Sequence, residues 1–188
     1  MKTFDEIVKQ LQEEAYCFLR DYHLEIRGVN IIPKEIEVYY YKEGDFEDEF
    51  VHRNDLQKNR PNQFYIHRFK NGVKRTGTRA SLDFCVSNED NVYYTYLLRS
   101  LEINGDLFFG PNTVYRELTA LFPDIENEKC VVVENKSPKK YDVFFSERVN
   151  LTSSYNFRGL YYLINGYIFM KLRLVVCDEN FRNIKYRH

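Results

Sequence analysis

Glu37, Tyr39 and Arg99 are the side chains of this sequence whose types and spacing best suit chemistry. Glu35, Glu37 and Tyr39 alternate within EIEVYYY at 35–41, and the two-residue repeat of a strand places all three on one side. A carboxylate beside a ring can align a water while the ring faces an electron-poor ligand, an attraction of the cation–π type. The same pattern also describes an ordinary strand edge with an exposed acid. Arg99 stands in LLRSLE among Leu97, Leu98 and Leu101. A charge in so apolar a strand needs a partner, and Glu37 is the expected one. A purely structural ion pair with another acid is the alternative. His52 follows a polar loop, where a histidine is ordinarily solvated; His23, His67 and His188 have no comparable setting.

The elements that must position these groups follow from periodicity and punctuation. Thr3 with Glu6 has the capping-box spacing, and Phe4, Ile7, Leu11, Tyr16 and Leu19 recur at helical intervals, predicting an amphipathic helix over 4–22. Gly28 and Pro33 punctuate its exit, and a strand is predicted over 35–41. Strands are also predicted at 63–69 and 79–87 around an Asn71-Gly72 turn, and at 92–102, 129–134 and 140–146. A last pair, 159–164 and 167–176, flanks Asn165-Gly166. Pro111 opens a second helix over 111–122. Residues 42–62 form a long polar connection rich in Asp and Glu, which suits a functional or mobile loop with a solvated acidic face. The acids there lack the spacing of a calcium loop.

A length of 188 residues suits one domain with a single core. We divide it into a helix and lead-in (1–33), a core (34–176) and a tail (177–188). Strands outnumber helices and turns are short. The expected class is α+β: a single domain with a curved, mainly antiparallel sheet, an N-terminal helix and few other helices. Aromatics reach 16%, with 16 Tyr, 15 Phe and no Trp, which suits either a β-rich core or an aromatic-lined pocket. The formal net charge of −1 offers no overall attraction for phosphate, so any nucleic-acid contact must come from a local patch. Cys17, Cys85, Cys130 and Cys177 are far apart, without CxxC or a histidine at ligand spacing; they read as reduced, mostly buried thiols. The acidic N-terminal stretch does not read as a signal peptide, and an intracellular, cytoplasmic protein without membrane contact is expected.

Several segments, taken in order, resemble the alkyladenine (3-methyladenine) DNA glycosylase family: EIEVYYY, FVHRN at 50–54, NRPNQF at 59–64, LDFCVS at 82–87, LLRSLE at 97–102, FFGPNTVYREL at 108–118, and SERVNL with FRGLYYLINGYIF over 146–169. The resemblance covers most of 34–170. It implies Glu37 as general base and Arg99 as the group orienting water and carboxylate. Tyr39 and His52 would be the walls of a base pocket, with Ser87 where the family screens out normal guanine. Lys74, Arg75 and Arg79 in KRTGTR would meet the DNA backbone. The turn Gly110-Pro111-Asn112 would present helix amides to a phosphate, and Arg148 would maintain the fold.

The chain departs from the family pattern at recognisable points. The stretch Gly77 to Leu82 contains no aromatic where the family has a stacking tyrosine and a duplex-wedging side chain; the wedge position falls near Ala80, and Asp83 replaces an aromatic. The expectation is a divergent monofunctional DNA glycosylase, a monomer acting on DNA with modified bases without metal or cofactor. The alternative is a non-catalytic module binding a nucleotide or protein on the same fold.

Overall fold

The computed structural model describes residues 2–136, 142–146, 148 and 173–177. Helix α1 (Phe4–Asp21) carries the expected capping box: Thr3 N donates to Glu6 Oε2 at 2.7 Å, and Glu6 N donates to Thr3 Oγ1 at 3.3 Å. Its apolar stripe, Ile7, Leu11, Ala15, Phe18 and Leu19, is buried.

The helix does not run into a lead-in. Tyr22–Ile26 forms β1, and β2 (Val29–Lys42) begins six residues before its predicted start. The cause is Arg27-Gly28, both left-handed (φ 52° and 80°), which close a two-residue hairpin with Ile26 opposite Val29. Pro33 is tolerated inside β2 because the ladder slips beside it. After β2 come β3 (Phe46–Glu47), β4 (Phe64–Ile66), β5 (Leu82–Cys85), β6 (Val92–Ile103), β7 (Asp106–Phe109), α2 (Pro111–Leu121), β8 (Val131–Glu134), β9 (Asp142–Ser146) and β10 (Arg173–Cys177). The second residue pair closed by left-handed backbone, Asn104-Gly105, makes β6 and β7 a hairpin. The predicted strand at 159–164 lies outside the described residues.

The chain is α+β, with one curled antiparallel sheet, an N-terminal helix and few others. Its main path runs β4-β5-β6-β2-β1-β8; β3 and β10 also pair with β2, β7 with β6, and β9 with β10. β2 and β6 form the spine. Alternation gives each a core face: Ile36 and Val38 of β2 and Tyr96 and Leu98 of β6 lie beneath α1 with Phe84 and Phe64. Phe18 of α1 packs on Tyr96 and Phe84, with ring centroids 4.8 and 5.6 Å away. Leu98 is completely buried at this centre, so Leu98→Ala is expected to lose about 2–5 kcal/mol in urea denaturation. A loss under about 1 kcal/mol would mean that the α1–sheet interface is not the core.

The opposite face of the spine carries Glu35, Glu37 and Tyr39. Between Pro33 and Ile36 the partners run Leu101, Ser100, Leu98, leaving Lys34 on β2 and Arg99 on β6 without opposite residues. Arg99 is thus the extra residue of a bulge, a device that re-aims a side chain.

Candidate functional site

A cross-strand row runs over the face away from α1: Tyr65 opposite Asp83, Asp83 opposite Leu97, Leu97 opposite Glu37, and Glu37 opposite Arg173. Glu37 is fully buried. Arg99 Nη1 lies 3.0 Å from its Oε1, and the Tyr39 hydroxyl donates to its Oε2 at 3.0 Å. Arg99 Nε also reaches Glu35 Oε1 at 3.1 Å. Glu35 in turn accepts from Arg173 Nε at 2.6 Å and from Ser100 Oγ at 2.9 Å. The bulge therefore places one guanidinium across two carboxylates, Glu35 and Glu37. Burial, and next the charge of Glu37, push the Tyr39 phenol well above its ordinary pKa, so it stays a hydrogen-bond donor at neutral pH.

The loop 42–62 keeps most of the expected solvated acidic face and departs from it at Asp48. Gly44 turns the chain back so that β3 pairs with the end of β2, and Phe46 enters the core. Asp48 is completely buried, 2.6 Å from Arg148 Nη1, and caps the amide of Phe50 at 3.0 Å. Arg148 lies over the Tyr39 ring, 4.6 Å from its centroid, and 5.7 Å from that of Phe50. A little further on, Asn54 caps the short helical turn Asp55–Gln57, and the buried Gln57 donates to Asp83 Oδ2 at 2.9 Å. The acids of this loop are thus divided: Asp48 is buried against an arginine distant in sequence, whereas Glu43, Asp45, Glu47 and Glu49 stay exposed.

Asp83 is the second buried acid of the row. Its Oδ2 also accepts from Thr95 Oγ1 at 3.0 Å, and its Oδ1 lies 2.6 Å from His67 Nε2. Burial alone would raise its pKa; the charge and hydrogen bond of His67, with Thr95, bring it below the ordinary carboxylate value. His52 packs its ring on His67 at 4.3 Å, and its Nδ1 is 3.5 Å from the Tyr65 hydroxyl. Burial, and then the neighbouring His67, lower the His52 pKa to about 4, so it is neutral at pH 7.

Of the residues singled out from sequence, Tyr39 and Arg99 both contact Glu37, and His52 joins their face through His67 and Asp83. Ser87 does not join them. Its hydroxyl accepts from Glu89 N at 3.1 Å, and it lines a cavity of about 740 Å³ with Glu14, Tyr40 and Tyr94, against α1. Lys74 is bound to Glu126 at 2.7 Å, and Arg79 is exposed on the turn Gly77–Arg79. Arg75 lies over Phe69 at 5.6 Å, and its buried Nε makes no hydrogen bond among the described residues. Ala80 is buried, so it has no surface to offer a duplex. Asn112 fastens this segment from the start of α2, its side-chain amide donating to the Gly77 and Ala80 carbonyls.

Sequence reasoning missed Asp83, His67 and Tyr65 as members of the site. A signal was present. Asp83 interrupts the apolar run of β5 as Arg99 interrupts β6, and it demands a partner for the same reason. Arg148, expected to maintain the fold, does so from within the site.

Among the described residues no group of three or more His, Cys, Asp or Glu side chains is arranged to hold a metal ion, and no helix is long and apolar enough to cross a membrane. The sequence matches no family model, and comparison with curated proteins finds no match.

Proposed function

We propose that this protein is a monofunctional glycosylase that removes a modified base from DNA by water attack on the sugar carbon. The observation that carries the reading is the setting of Glu37: a buried carboxylate held by Arg99 and the Tyr39 hydroxyl on the face shared with His52. Two donors fix the carboxylate so that it can direct a water and take its proton. Tyr39 and His52 would flank the base, and the positive charge of Arg75 and Arg79 would serve the backbone. Phosphate contacts of that kind position a duplex without extracting a base. With Ala80 buried, the energy of unstacking must come from the substrate itself, so single-stranded or mismatched sites are the better substrates.

The test is release of base from alkylated oligonucleotides by wild type and Glu37→Gln. The substitution keeps shape and removes the proton acceptor, so release is expected to fall about a hundredfold or more, with single strands cut faster than duplex. Equal rates for the two proteins, at matched thermal stability, reject the mechanism.

One observation favours a second reading, a non-catalytic binding module. Arg148, locked by Asp48, already covers the ring of Tyr39 that would meet a base. No release from any alkylated or deaminated substrate, with DNA binding absent or insensitive to salt, would select this alternative.

A further inference from the structure

We propose that the cavity between α1 and the sheet is a binding site for a small organic ammonium ion with an apolar body. The inference does not rest on the glycosylase reading, because this cavity lies on the other face of the sheet from Glu37.

The walls follow from alternation and register. Tyr40 of β2 and Tyr94 of β6 are opposite each other, one residue out of phase with Tyr39, so they stand on the α1 side. Their rings meet edge to face with centroids 5.5 Å apart. Ile7, Leu11 and Val92, all buried, complete an apolar floor beneath them, and the cavity measures about 740 Å³. That volume suits an organic molecule. The segment after β5 closes one side, because Val86 N and Ser87 N both donate to the Tyr94 carbonyl, at 2.9 and 3.3 Å.

The polar side of the cavity is organised around a fixed carboxylate. Glu14 continues the stripe of Ile7 and Leu11 on α1 and stands at the rim. Its Oε1 accepts from Gln10 Nε2 at 2.6 Å and its Oε2 from the Tyr94 hydroxyl at 2.9 Å. The Tyr94 hydroxyl lies 3.0 Å from that of Tyr96, and both rings are buried, so this donor cannot swing into solvent. Two donors hold Glu14 in place, and its oxygens have lone pairs left for a third. Two more acids arrive from separate segments. Gly44, left-handed, turns the chain after β2 and brings Asp45 to the cavity; the Ser87 hydroxyl, accepting from Glu89 N at 3.1 Å, positions Glu89. Tyr40 marks where the three charges act together: burial raises its phenol pKa first, then Asp45, Glu89 and Glu14. Lys2 and Lys42 also border the cavity, and Lys2 Nζ is engaged by Gln10 Oε1. Three carboxylates against two ammonium groups leave the described lining negative. Electron-rich tyrosine rings attract cations as well, so a ligand would set its ammonium group near Tyr40 and its apolar body on Ile7, Leu11 and Val92.

The experiment titrates the full chain with phenethylamine, an ammonium ion at pH 7, and with phenylacetate, which has the same ring and the opposite charge. Calorimetry and backbone-amide NMR shifts follow the binding. Phenethylamine is expected to saturate one site with a Kd of about 1 mM or tighter, moving the amides of Glu14, Tyr40 and Glu89 and leaving those of Glu37 and Arg99 in place. Phenylacetate is expected to bind at least about tenfold more weakly. Asp45 and Glu89 are exposed, so Asp45→Asn and Glu89→Gln keep the fold; each should weaken phenethylamine about three- to fivefold, and the double variant about tenfold or more. Phenylacetate bound as tightly as phenethylamine overturns the proposal. So does a double variant of unchanged affinity, a set of shifts confined to the Glu37 face, or no saturation by about 10 mM phenethylamine. Should a variant unfold, the comparison of the two charges on the wild type decides. None of these outcomes bears on base release, and failure of the Glu37→Gln test leaves this site standing.

Discussion

Asp48→Ala is expected to destabilise the protein by about 3–5 kcal/mol and to release the loop 42–62 from the site. Asp48 and Arg148 are 2.6 Å apart with both side chains fully buried, and removing one partner leaves the other charge without its counterion in a low-dielectric setting. Asp48 also holds the Phe50 amide, so the loop loses a local tie as well as the distant one. Replacing the pair together, as Asp48→Leu with Arg148→Met, is expected to recover most of the stability, because the desolvation cost of both charges disappears. The measurement is urea denaturation of the wild type, the two single variants and the double variant. A coupling under about 0.5 kcal/mol from that cycle would show that the pair is solvated and that the loop opens freely. The result also bears on access to the site. Arg148 covers the Tyr39 ring, so a ligand stacking on that face of the ring must displace it.

Acidification from pH 6.5 to pH 4 is expected to remove up to roughly 3 kcal/mol of stability through His52. Its folded pKa is lowered to about 4, first by burial and then by His67, against about 6.5 in an unfolded chain. As pH falls, the unfolded state takes up the proton first, so its population rises across that interval. The gap of about 2.5 pH units, at about 1.36 kcal/mol each, sets the magnitude. Asp83 and Glu126 act in a lower window. Both carboxyls are held below their ordinary values in the fold, so their contribution is present above about pH 4.5 and is lost below it. Denaturation midpoints of wild type and His52→Gln at pH 7, 5.5 and 4.5 separate the two. The variant should be less stable at pH 7 and nearly flat down to pH 4.5. A wild type with no change between pH 7 and 4.5 would mean that His52 is solvated and its packing on His67 absent.

The first expectation concerns a residue that the sequence presents poorly. Asp48 lies in an acidic stretch and reads as solvated, since its partner is a hundred positions away and nothing local announces it. His67 reads as one more strand histidine until the register sets Asp83 beside it. Ser87 fails in the opposite direction: alignment by motif brings it to the pocket, while the backbone after β5 carries it to the α1 side. The lead-in before β2 becomes a strand because two consecutive left-handed residues fit a hairpin, a geometry that a helix-exit reading of Gly28 overlooks.

Residue types and spacing alone determined the capped helix α1, the proline-started α2, the strands at the centre of the sheet and the α+β class, because each rests on local periodicity or a local hydrogen bond. They also marked Glu37, Tyr39 and Arg99, since period-two alternation and a charge among leucines are visible without a fold. Only the tertiary structure decided which acid meets which base. The bulge turns Arg99 toward both Glu35 and Glu37, the loop brings Asp48 to Arg148, and strand pairing joins Asp83 to His67. Those pairings depend on register and on chain segments distant in sequence, and a shift of one residue in register would send the strand side chains among them, such as Glu37 and Asp83, to the opposite face.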